Sequence, residues 1–137
     1  VVAQSSQTLV FQIGDGAIVL GDADAMTLAI NPMSGEYANT TYFLIDDDAL
    51  ARIEVEVLGP VSRIALFSDG LQRLALNAVD QAPHLPFFAP FFKTLAAATK
   101  AQQAQIDEAL ERFLSSPSVN ERTDDDKTLL LALRNDA

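Results

Sequence analysis

Apolar and polar positions follow a two-residue rhythm through the first half of the chain and a helical rhythm through much of the second. Leu9, Phe11 and Ile13 alternate with Val10 and Gln12, and Gly14-Asp15-Gly16 then interrupts before Ala17-Ile18-Val19-Leu20. Glycine supplies the positive φ that tight turns require, so residues 8–20 are expected to form two antiparallel strands joined as a hairpin. Asn31-Pro32 and Ser34-Gly35 mark a loop, after which Thr41 to Ile45 has the β-branched and aromatic content of a strand ended by Asp46-Asp47-Asp48. Ile53, Val55 and Val57 alternate with Arg52, Glu54 and Glu56, the signature of a strand with one face in the core and one in water. Arg63 to Phe67 is a short apolar strand that stops at Ser68-Asp69-Gly70, a strong turn signal.

Beyond that turn the spacing becomes helical. Leu71, Leu74 and Val79 outline a short helical face. Residues 84–90 read as a proline-punctuated loop, with Pro90 as the first residue of a helix that carries Phe91, Phe92 and Leu95 on one side. Thr99 and Gln102 have capping-box spacing, and Ile106, Ala109, Leu110, Phe113 and Leu114 fall on one face of the helix that follows. Ser115-Ser116-Pro117 stops it, and Thr128 to Leu133 reads as a buried final strand. Strands, then a helical pair, then one returning strand favour an α+β fold with antiparallel sheets over an alternating parallel one.

Composition narrows what such a fold can do. The 137 residues suit a single domain with one core, and 49% hydrophobic against 20% charged residues is a globular balance. Nine basic against 19 acidic residues leave a net charge of −10, which repels nucleic acid and anionic membrane surfaces. No apolar run approaches a membrane span, and the N-terminal VVAQSSQ lacks the basic start of a secretory signal. With no cysteine there is no disulfide framework, thiolate nucleophile or thiolate zinc site, and the default location is cytoplasmic. A first residue of Val that runs almost at once into a strand suggests that the chain begins partway through a domain.

The same negative charge draws divalent cations wherever carboxylates converge. Asp69 follows the end of one strand and Asp125 precedes another, so if the helical pair returns the chain antiparallel beside strand 63–67, both carboxylates meet at one sheet edge. Two or three converging carboxylates with waters suit Mg²⁺ or Mn²⁺. Asp15, also at a strand end, is a third candidate whose edge stays open. Each has a bland reading: Asp-Gly after a strand is commonly only a turn, and Asp124 to Asp126 resembles a solvated loop, as does Asp46 to Asp48. His84, the one histidine, reads as a packed or surface imidazole rather than a base, and Phe87, Phe88, Phe91 and Phe92 read as core. There is no G-x-S-x-G, P-loop, H-E-x-x-H or EF-hand spacing.

Four segments share order and spacing with one family. FQIGDGAIVL at 11–20, GEYANTTYFL at 35–44, IALFSDGL at 64–71 and RTDDDKTLLLAL at 122–133 together make the chain resemble the C-terminal part of the bacterial protein phosphatase 2C family, the metal-dependent Ser/Thr phosphatases. The resemblance implies a β-sandwich flanked by helices, with a dinuclear Mn²⁺ or Mg²⁺ centre at one end of the sheets. It implies hydrolysis of phosphoserine or phosphothreonine in a protein substrate by a metal-bridging water, without a phosphoenzyme. Asp69 matches the metal ligand of the Ser-Asp-Gly motif, Asp125 the ligand of the closing motif, and Asp15 a Gly-Asp position that binds a third metal in some members. Asp126 stands where the family usually has Asn, so the closing ligand is open among Asp124, Asp125 and Asp126; Arg73 stands where some members carry an acidic third-metal residue. The family's N-terminal motifs, with the phosphate-gripping Arg and the Asp and Gly that bridge both metals, have no counterpart. The expectation is therefore a phosphatase fragment that is inactive alone and associates with itself or with its missing N-terminal segment. The rival expectation is a non-catalytic, phosphatase-like interaction module.

Overall fold

The computed structural model describes residues 1–33 and 41–134. In chain order the elements are β1 (Val2–Ala3), β2 (Thr8–Gln12), β3 (Ala17–Gly21), β4 (Met26–Leu28), α1 (Ala49–Arg52), β5 (Glu54–Leu58) and β6 (Arg63–Phe67). They continue with α2 (Gln72–Ala75), α3 (Leu85–Ala97), α4 (Gln103–Leu114), α5 (Pro117–Asn120) and β7 (Leu129–Leu133), and single 3₁₀ turns at Asp69–Leu71 and Lys100–Gln102 precede α2 and α4. All strand pairs are antiparallel, in a three-stranded sheet β1-β2-β5 and a four-stranded sheet β4-β3-β6-β7. The expected α+β class with antiparallel sheets and a helical pair is what the chain adopts.

β3 sits at the centre of the packing. Ala17, Ile18, Val19 and Leu20 are all buried, because the sheet is covered on both faces, and a strand covered on both faces has no use for alternation. Ile18 and Leu20 pack with Val10 of β2, Ile30 and Val61 between the sheets. Ala17 and Val19, with Ala65, Phe67 and Leu129, face the other way onto Leu71, Phe88, Phe92 and Val119. The helical pair thus forms a third layer, knit by Phe87, Phe91 and Phe113, whose ring centroids lie 5.2–6.2 Å apart. The phenylalanines are core, as their spacing suggests.

The expected hairpin over residues 8–20 does not form. β2 and β3 are strands as read, but they belong to different sheets, and Gly14-Asp15-Gly16 is an arch that carries the chain from one sheet to the other. Alternation reports that a segment is a strand and is silent about its partner. Gly14 takes φ 87°, and Gln12 Nε2 donates to the Gly16 carbonyl at 2.9 Å across the arch.

Other expectations give way for local reasons. Thr41 to Ile45 is not a strand: the Asp46 carboxylate accepts the Phe43 N–H at 2.8 Å, closing a local turn, and Ile45 is 91% exposed. Residues 34–40, which carry most of the GEYANTTYFL match, lie outside the described residues. β5 alternates as read, yet Val55 and Val57 are 55% and 63% exposed; register sets them opposite Phe11 and Leu9, on a sheet face that no layer covers among the described residues. α3 begins at Leu85, not Pro90, since Pro86 in the first turn replaces an N–H that has no helical partner and Pro90 gives up one bond in a helix anchored by buried Phe88 and Phe92. The Leu71 and Leu74 helix ends at Ala75, leaving Val79 exposed. β7 is only half buried, with Leu130 55% exposed at the sheet edge. Thr99 and Gln102 do interlock, Gln102 Oε1 accepting the Thr99 N–H at 3.0 Å.

Among the described residues no helix is long and apolar enough to cross a membrane. Phe88→Ala, which empties a site in the helix-covered core, is expected to cost about 3–5 kcal/mol. Val57→Thr on the uncovered face is expected to stay within about 0.5 kcal/mol. Urea unfolding of the two variants checks the difference, and equal losses would contradict the layer assignment.

Candidate functional site

Pairing of β6 with β7 brings distant parts of the chain to one rim. Phe67 lies opposite Leu129, so the segment after β6 and the segment before β7 leave the sheet side by side. Ser68 clips them together: its Oγ donates to the Asp126 carbonyl at 2.9 Å and accepts the Thr128 N–H at 3.1 Å, while its own N–H donates to the Thr128 carbonyl at 3.2 Å. Gly70 completes the approach, because a Cβ there would meet the Asp126 carbonyl oxygen at 2.5 Å and the Asp125 Cβ at 3.1 Å. Only a residue without a side chain lets the two segments come this close.

The result is an open polar cavity of about 320 Å³ lined by Asp69, Arg73, Arg122, Thr123, Asp124 and Asp125, with Gly70 and Glu121 at its wall. The two candidates that sequence spacing singled out therefore share one cavity. Asp69 is exposed, and its Oδ1 accepts the Gly70 N–H at 2.9 Å. Asp125 is exposed, and its main-chain N–H donates to Thr123 Oγ1 at 3.3 Å. Of the three consecutive aspartates, Asp124 and Asp125 line the cavity, whereas Asp126 enters the Ser68 clip through its main chain.

Asp15 stands at the same end of the four-stranded sheet, since Ala17 pairs with Phe67, but it does not line the cavity. Its carbonyl accepts from Gln72 Nε2, which ties the arch to the start of α2. Asp46 to Asp48 lie elsewhere on the surface, where Asp48 accepts from Arg52 Nε at 2.7 Å and holds the guanidinium above its ordinary pKa; the Arg52 guanidinium also lies 3.9 Å from the Tyr42 ring centroid. His84 is exposed at the start of α3, with its N–H bonded to the Ala75 carbonyl.

Exposed carboxylates beside open volume offer the hard oxygen donors that Mg²⁺ and Mn²⁺ take, so the donor chemistry fits as part of a ligand set. Among the described residues no three acidic, histidine or cysteine groups gather closely enough to hold an ion by themselves. Sequence reasoning assigned no role to the cationic part of the cavity: Arg122 entered only as the first residue of the RTDDDKTLLLAL segment, and Arg73 only as a departure. Proximity of Arg122 to the aspartate triplet was the one available signal.

A mixed sandwich with an acidic rim where two antiparallel strands end defines a class of protein, and the comparisons narrow it. A family model described as protein phosphatase 2C matches residues 1–115, a span that includes Asp15 and Asp69 and stops before Asp125. The chain is also 53% identical over 133 residues to serine/threonine-protein phosphatase 3 of Escherichia coli (strain K12), covering 96% of this chain and 53% of that protein. It thus spans about half the length of the curated relative that it matches. No solved structure gives a significant match. With most of its length matched, the chain belongs to the protein phosphatase 2C family.

Ser68→Ala, which breaks both side-chain bonds of the clip, is expected to cost about 1–3 kcal/mol. Gly70→Ala is expected to cost a similar amount, about 1–3 kcal/mol, by forcing the Asp126 backbone away. Thermal melts together with amide spectra of residues 121–128 check both; unchanged amides in Gly70→Ala would contradict the close approach.

Proposed function

We propose that this chain supplies one part of the active centre of a metal-dependent phosphoserine and phosphothreonine protein phosphatase. The observation that carries it is the shared cavity of Asp69 and Asp125 in a chain of this family. In this reading Asp69 and Asp125 are the metal-holding carboxylates, with Asp124 next to Asp125 on the same wall, and Asp15 lies farther out as the residue toward a third ion. When bound, a pair of Mn²⁺ or Mg²⁺ ions supplies an acidified water and neutralises charge on the phosphoryl oxygens. The chain's own contribution is positional. The Ser68 clip keeps Asp69 beside the 124–125 segment, and Gly70, lacking a side chain, lets the two segments approach this closely.

The substrate in this reading is a phosphorylated protein. Among the described residues the cavity carboxylates do not gather into a set able to hold a divalent ion by themselves, so in this reading the 137-residue chain alone is inactive and needs additional ligands to complete the centre. One observation favours the rival, a non-catalytic phosphatase-like module: no triad of metal-binding side chains forms among the described residues.

The isolated chain is expected to release no phosphate from a phosphopeptide or an aryl phosphate in Mn²⁺ buffer. Within a longer family domain that contains it, Asp69→Asn or Asp125→Asn is expected to reduce turnover by about 100-fold or more. Full activity in either variant would support the non-catalytic assignment of these residues.

A further inference from the structure

A second cavity adjoins the acidic one. Its volume is about 370 Å³, and it is lined by Leu74, His84, Phe87, Phe113, Ser118 and Arg122. Arg122 belongs to both cavities, and the consecutive residues Arg73 and Leu74 of α2 line one each. The two spaces therefore lie side by side, one polar and one largely apolar, with Arg122 in the wall of both.

The guanidiniums of the polar half stand apart from its acids. Among the described residues the ion pairs are Arg52 with Asp48 and Arg112 with Glu108, and neither Arg73 nor Arg122 is in one although four carboxylates share their cavity. A planar guanidinium fork matches the oxygens of a phosphate. The apolar half has the opposite character: leucine and phenylalanine side chains around a concavity of the kind that takes one apolar side chain.

We propose that the apolar cavity is a specificity subsite for an apolar side chain flanking the phosphorylated residue of the substrate, and that Arg122 binds the phosphoryl group at the junction. The inference rests on the phosphatase reading of the acidic cavity and adds the substrate's local sequence to it. The wall shared through Arg122 selects the occupant. A segment that turns at the phosphorylated residue, with its phosphate against Arg122 in the polar half, brings its neighbouring side chain toward Leu74 and Phe87, whereas a fully extended segment would send that side chain to the opposite face. A charged flanking side chain would lose part of its hydration against Leu74, Phe87 and Phe113.

The test is an amide-shift titration of the ¹⁵N-labelled 137-residue chain in Mg²⁺ buffer, a method that reads millimolar affinities. Three peptides are compared: phosphoserine between two leucines, phosphoserine between two alanines, and the leucine peptide without phosphate. The leucine phosphopeptide is expected to bind roughly fivefold or more tightly than the alanine one, with shifts at Leu74, His84 and Ser118. Ser118→Tyr, which fills the cavity from an exposed position, is expected to erase that preference and leave the alanine peptide unaffected. Arg122→Ala is expected to weaken both phosphopeptides and not the unphosphorylated one. Equal affinity of the two phosphopeptides, a leucine preference that survives Ser118→Tyr, or no binding would overturn the subsite. Equal binding of the leucine peptide with and without phosphate would instead overturn the phosphoryl role of Arg122 and the reading beneath it.

Discussion

Three hydrogen bonds at Ser68 hold the candidate centre together. One joins Ser68 to Asp126, 58 positions away, and two join it to Thr128, 60 positions away, at the point where β6 and β7 leave the sheet. Everything proposed for the rim depends on that join. Asp69 follows Ser68 directly and Asp125 precedes Asp126, so the clip sets the spacing of the two carboxylates before any ion arrives. Such preorganisation matters because two exposed acids brought together by the ion alone would have to be ordered at the moment of binding.

The clip is in turn held by burial behind it. Phe67 and Leu129, the register pair just inside the rim, both belong to the helix-covered core with Phe88 and Phe92. The strand ends therefore emerge from the best-packed layer of the molecule. The opposite sheet is different. Phe11, Val55 and Val57 share a face that is exposed among the described residues, where only the other sheet carries a helical layer.

Much of this was legible from the sequence because it is local. β6 showed itself as a short apolar run ended by Ser-Asp-Gly, α4 by its spacing from Ile106 to Leu114, and its entry by the Thr99 and Gln102 pair. Partners are not local, and there the sequence misled. Gly14-Asp15-Gly16 has the residues of a hairpin turn and serves as an arch, since backbone freedom at glycine suits either use. The alternation of β5 announced a buried face that no layer covers among the described residues, and Thr41 to Ile45 lost its strand to a side-chain bond from Asp46. At the site, the convergence of Asp69 and Asp125 followed from a single antiparallel return. The contribution of Arg122 to two cavities could not be read that way, because it depends on how α2, α3 and α5 pack around it.

The central claim is that Asp69 and Asp125 together attract a hard divalent cation. Paramagnetic broadening of amide signals by substoichiometric Mn²⁺ tests it most directly, since broadening falls off steeply with distance and needs no turnover. The account predicts broadening concentrated at residues 68–73 and 121–126, and its loss in both Asp69→Asn and Asp125→Asn. Broadening centred on Asp46 to Asp48, or a pattern indifferent to the two substitutions, would contradict it.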